Sequence, residues 1–122
     1  MTRRLIVHNL DTDRSVVEAG RVANNMAQRF VGLWGSAPLA PGEGLWLIPC
    51  NSIHMFFMGF AIDVLFLDNQ QQVVHLIEGL KPWRASPLVR KARSVLELPT
   101  GAIARSGTQV GHKLQVTEVE ML

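Results

Sequence analysis

Ile62-Asp-Val-Leu-Phe-Leu67, then Asp68-Asn-Gln-Gln-Gln72, then Val73-Val-His-Leu-Ile77 follow one another without a break, so that two apolar runs flank five polar residues. Branched and aromatic side chains suit the pleated, half-buried surface of a strand, and a short polar interruption between two such runs is where a chain reverses. The stretch therefore predicts an antiparallel hairpin, with strands over 62–67 and 73–77 and a loop of about five residues.

Working outward toward the start, Leu5, Ile6 and Val7 form a short apolar run ahead of Asn9, Asp11 and Asp13, which read as a turn, so a strand is expected over 4–9. Val16, Val17 and Val22 around Gly20 suggest a short strand, or a strand with a bulge, over 15–23. Asn24 or Asn25 can cap a helix that carries Met26, Phe30, Leu33 and Trp34 on one face, ending near Trp34 because Gly35 and Pro38 follow. Beyond the turn marked by Pro41, Gly42 and Gly44, two more apolar runs, 45–48 and 53–57, read as strands on either side of Pro49, Asn51 and Ser52.

Toward the end of the chain, Pro82 and Pro87 among many charges make 81–93 a long exposed loop. Strand character returns over 95–98, Thr100 is placed to cap a short helical turn over 102–105, and 114–119 alternates as a last strand. About seven short strands with one main helix define an α+β class: a β-rich, mostly antiparallel sheet, curled or small-barrel-like, in a single domain spanning 1–122.

Composition agrees with a folded chain, since 48% of the residues are apolar and 18% charged. The opening residues lack the apolar run of about 7 to 15 residues that a signal peptide carries, and Asn51, Ser52, His54 and Asp63 interrupt the most hydrophobic region well before membrane-span length. A soluble cytoplasmic protein is the expectation. One cysteine, Cys50, cannot close an internal disulfide. The net charge is only +2, yet Lys81, Arg84, Arg90, Lys91 and Arg93 crowd into one acid-free stretch; without them, seven bases face ten acids. The basicity is local.

Six blocks occur in order: Arg29-Phe-Val-Gly-Leu-Trp-Gly35, Gly44-Leu-Trp-Leu-Ile48, Ile53-His-Met-Phe-Phe-Met58, Ile62-Asp-Val-Leu-Phe-Leu-Asp68, Leu96-Glu-Leu-Pro-Thr-Gly101 and Val110-Gly-His-Lys-Leu114. Together they resemble the domain of unknown function 192 family over about 19–116. The resemblance implies a compact β-rich α+β domain and no established activity. Relatives commonly carry Thr where this chain has Met55, and small or basic residues where it has Phe57 and Gly59-Phe60.

Cys50, His54 and Met58 are soft or borderline metal donors at a regular four-residue spacing. On a strand, residues four apart stand roughly 13 Å from each other, too far to share one ion, so no metal is assigned. A buried thiol, a core histidine and a core methionine account for them as well. Cys50 as nucleophile, His54 as base and Asp63 as orienter would follow the logic of cysteine catalysis, but no nucleophile motif surrounds Cys50, and no catalytic residue or cofactor is assigned. Asp63 and Glu97 stand out as acids inside apolar strands, where a carboxylate must be solvated, paired or functional, with Arg105 the nearest candidate for an ion pair.

The reading preferred on sequence is a non-enzymatic accessory module that binds a small molecule or a protein partner. His54, Met58, Asp63 and Glu97 are expected to bound one partly apolar cleft. Lys81, Trp83 and Arg84 form a candidate anion-binding group for nucleic acid, anionic lipid or an acidic protein, with nucleic acid not favoured; a solvated loop flanking the sheet is the preferred plain reading. The other reading is a small metal protein or a cysteine-dependent enzyme built on Cys50, His54 and Asp63.

Overall fold

The computed structural model describes residues 2–23, 39–53 and 59–121. Among them, seven strands form one sheet: β1 (Thr2–Asn9), β2 (Arg14–Ala23), β3 (Glu43–Leu47), β4 (Ile62–Leu67), β5 (Val73–Leu80), β6 (Ser94–Leu98) and β7 (Leu114–Met121), in the spatial order β5-β4-β6-β3-β2-β1-β7. Every pairing is antiparallel except β2 with β3. A parallel pair needs a crossover, and the chain between Ala23 and Glu43 makes it. The helix expected to end near Trp34 falls in that stretch, outside the described residues. So does the strand expected over 53–57, beyond Ile53.

The two hairpins are closed by side chains the sequence marks as turn formers. In the β4–β5 loop, Asp68 Oδ1 accepts the backbone N–H groups of Gln70 and Gln72 at 2.8 and 2.9 Å. Between β1 and β2, Asn9 Oδ1 accepts those of Asp11 and Thr12 at 2.8 and 3.0 Å. Each is an Asx-type closure, in which a short side chain replaces a backbone acceptor.

Apolar residues cover both faces of the middle of the sheet. β4 and β6 are buried along their whole length, which is why 62–67 reads as a nearly unbroken apolar run. One cluster unites Leu65, Leu96 and Leu98 with Val73 from one edge of the sheet and Leu114 beside the other. Contacts of that kind require the sheet to curl until its ends approach, and an antiparallel bridge between Gln72 and Lys113 ties them at one point. The sheet remains open, with this cluster on its concave inner face. A second cluster, including Val64, Phe66, Val95, Cys50 and Ile53, covers the outer face.

The bulge expected near Gly20 is real. Between Leu5 and Val7 of β1, β2 spends one extra residue, and the N–H groups of Glu18 and Ala19 both donate to Gly42 O at 2.8 and 3.0 Å. Gly20 then lies opposite Gly44 across the parallel pair. A Cβ on either would come within 2.8 Å of a Val17 methyl, so Val17 fills the space that two side chains would otherwise occupy.

A short helix, α1 (Ala102–Ser106), follows β6 and buries Ala102 and Ile103 against the inner cluster. Thr100 does not cap it. The N-cap position is Gly101, without a side-chain cap of its own, and the acceptor for the first turn comes instead from Asp63 on β4.

Candidate functional site

Asp63 and Glu97 sit on neighbouring strands, but the register separates them. Asp63 pairs with Leu98 and Val64 with Glu97. Successive residues of a strand point to opposite faces, so Asp63 shares the inner face with Leu98 while Glu97 shares the outer face with Val64 and Leu45. The two acids therefore do not bound one cleft, which corrects the grouping expected from sequence.

Asp63 is 2% exposed and fully employed. Its Oδ1 accepts the N–H of Gly79 at 2.9 Å, and its Oδ2 accepts those of Gly101 and Ile103, each at 3.1 Å. Gly79, with φ of 66°, sits where the β4–β5 register slips, in a conformation that favours glycine. One carboxylate thus fastens β4, the end of β5 and the start of α1. The Arg105 ion pair expected for Asp63 or Glu97 is not formed: Arg105 is exposed, and the ion pairs among the described residues are Arg3 with Glu118 and His8 with Asp13.

Glu97 is the opposite case. It is 8% exposed, flanked across the strands by Leu45 and Val64, and no hydrogen bond or ion pair reaches its carboxyl among the described residues. Burial away from water disfavours the charged form and pushes this carboxyl up to about 7. The same row of the outer face runs from Arg21 through Leu45, Glu97 and Val64 to Ile77. Of the other expected members of the site, His54 and Met58 lie outside the described residues.

Cys50 packs in the outer-face cluster, and its Sγ donates to Ser52 O at 3.1 Å. Asp63 belongs to the inner face, so the Cys50, His54 and Asp63 grouping loses its orienting acid. Lys81, Trp83 and Arg84 are exposed on the stretch between β5 and β6, with Lys81 O accepting the Arg84 N–H across a turn. That stretch is more firmly held than an exposed loop suggests, since Ala92 is buried and Val89 packs on the outer cluster.

One buried polar group has no counterpart in the sequence reading beyond Asn9 as a turn residue. Asn9 Nδ2 donates to Thr108 Oγ1 at 3.0 Å and to His112 Nδ1 at 3.2 Å, and Thr108 Oγ1 meets Ser106 Oγ at 2.7 Å. Together with its two backbone donors, all four hydrogen-bonding positions of the Asn9 amide are used. This network closes the end of the inner core and is structural.

A curled, mostly antiparallel sheet with a short helix at its inner face, bearing one clamped carboxyl and one without a partner among the described residues, defines a β-rich α+β protein. Residues 7–116 match the DUF192 family, described as "Uncharacterized ACR". The chain belongs to that family. A UPF0127 protein of Pyrococcus furiosus is 36% identical over 100 residues, covering 78% of this chain and 84% of that one. A UPF0127 protein of Pyrococcus abyssi is 32% identical over 114 residues, covering 87% and 94%. A crystal structure of a protein of unknown function from Novosphingobium aromaticivorans is similar with a TM-score of 0.78 at 21% identity, over 92% of this chain and 83% of that one. At that identity the likeness speaks to fold alone.

Proposed function

We propose that the protein is a non-enzymatic binding module whose ligand is a small molecule with an apolar body and one hydrogen-bond donor or cationic group, seated on the outer face at Glu97. The observation that carries this reading is a glutamate only 8% exposed, set between Leu45 and Val64, whose carboxyl meets no partner among the described residues. Such a group is costly to keep unless something satisfies it, and a ligand bringing a donor would do so. Ile53 and Phe60 both pack on this face; His54 and Met58, outside the described residues, are carried into the site from the sequence alone. Asp63 is left out of it, because its oxygens are occupied. A cysteine enzyme would need a reachable thiol, whereas Cys50 is buried in the outer-face cluster.

Native mass spectrometry with elemental analysis, on protein purified without chelator, tests the proposal. The expected result is a stoichiometric small organic molecule on the wild-type chain that is lost from Glu97→Gln. A stoichiometric metal ion, or a ligand retained equally by the variant, overturns it.

A further inference from the structure

We propose that the stretch from Lys81 to Lys91 docks the protein onto the surface of an anionic phospholipid bilayer. This rests on a different part of the molecule from the Glu97 site. Four bases, Lys81, Arg84, Arg90 and Lys91, are exposed there, and none is in an ion pair among the described residues. The fifth, Arg93, is turned back on the chain, its guanidinium donating to the carbonyls of Arg90 and Ala92. No acid occurs between Glu78 and Glu97, and Glu97 is buried, so of the two bracketing acids only Glu78 is exposed to offset these charges.

The same stretch carries two of the most exposed large apolar side chains, Trp83 at 59% and Leu88 at 63%. Trp83 also has φ of 66°, a left-handed conformation that a bulky residue avoids and that glycine adopts freely. Trp83 thus stands exposed at the turn of 81–84. The platform beneath is fixed: Ser86 N–H donates to Ile53 O at 2.8 Å, Val89 N–H to Asn51 O at 2.9 Å, and Arg93 N–H to Leu67 O at 2.7 Å.

Charge selects the partner's sign, and the apolar pair selects its nature. Tryptophan and leucine beside lysine and arginine suit a boundary at which apolar bodies enter the acyl region while cations meet phosphate headgroups. Single-stranded nucleic acid is the weaker fit, because it is held on successive aromatic platforms and Leu88, more exposed than Trp83, offers no ring to stack. Among the described residues no helix is long and apolar enough to cross a membrane.

Flotation of the full chain with vesicles of phosphatidylcholine alone, and of phosphatidylcholine mixed with phosphatidylglycerol, decides the matter. Binding is expected only to the mixed vesicles and should weaken as salt is raised. Lys81→Gln with Arg84→Gln should lower the partition coefficient roughly 30-fold, about five-fold for each base removed. Trp83→Gly with Leu88→Ser should abolish binding, and Leu88→Ser alone should weaken it with circular dichroism unchanged. Failure to bind anionic vesicles, or binding that neither pair of substitutions alters, overturns the proposal. So does salt-sensitive capture of a single-stranded oligonucleotide by a chain that ignores vesicles.

Discussion

Replacing Glu97 by Gln should make the protein more stable at pH 8 than the wild type, and the difference should vanish in acid. Burial raises the carboxyl from 4.5 to about 7 in the folded chain. Between those values the unfolded chain has lost this proton and the folded chain has kept it, so the folded state binds more protons and stability falls as pH rises. Below about 4.5 both states are protonated and the group costs nothing from ionisation; above about 7 both are ionised and the penalty is complete. Each pH unit across that window is worth about 1.36 kcal/mol, so the full penalty is on the order of 3 kcal/mol. For a chain of this size that corresponds to roughly 10 °C in Tm. Urea denaturation of wild type and Glu97→Gln at half-unit steps from pH 4 to 8.5 reads it directly, and taking the difference between the two proteins cancels the histidines that titrate in the same range. Parallel profiles throughout would show that the Glu97 carboxyl is solvated or paired, and the argument for a ligand at this position would fall with it.

Asp63→Ala leaves the N–H groups of Gly79, Gly101 and Ile103 without their acceptor, and should cost about 3 to 5 kcal/mol, seen as a lower urea midpoint together with faster amide exchange at Gly101 and Ile103. Gly20→Ala and Gly44→Ala should each lose about 1 to 3 kcal/mol through overpacking against Val17, with Gly20 the worse because its Cβ would also come within 3.1 Å of Gly44 O; adding Val17→Ala to Gly44→Ala should recover part of the loss in a double-mutant cycle. Asn9→Leu removes both donors and both acceptors of a fully buried amide and should cost about 3 kcal/mol or more by urea denaturation.

The strands were legible because each is a local event. The polar break at 68–72 and the branched runs beside it specify a hairpin from adjacent residues alone, and the structure differs only in carrying β5 on to Leu80. Around Gly20 the sequence left a short strand or a strand with a bulge open, and the structure forms the bulge. Thr100 misled because a good capping residue one position from the right place was outcompeted by Asp63, an acceptor 38 and 40 residues away from the N–H groups it takes. The Asn9, Thr108 and His112 network was invisible for the same reason, since its members meet across 99 and 103 positions. Sequence spacing carries local hydrogen bonds well and distant ones hardly at all.

That limit bears hardest on the two acids. In sequence Asp63 and Glu97 are equivalent oddities, each a carboxylate amid apolar strand residues, and grouping them in one cleft was a natural reading. Register settles their relation: adjacent strands offset by one residue send them to opposite faces. Satisfaction then separates their roles, because a buried carboxylate that accepts three backbone N–H groups has its energetic reason inside the fold, whereas Glu97 accepts none from the described residues. An acid of the second kind lowers stability at neutral pH, and a glutamine or leucine would pack there at less cost. Among the described residues no group offsets that cost at Glu97, between Leu45 and Val64 on the outer face of β6, which is why the stability of Glu97→Gln across pH is the measurement that separates the two acids.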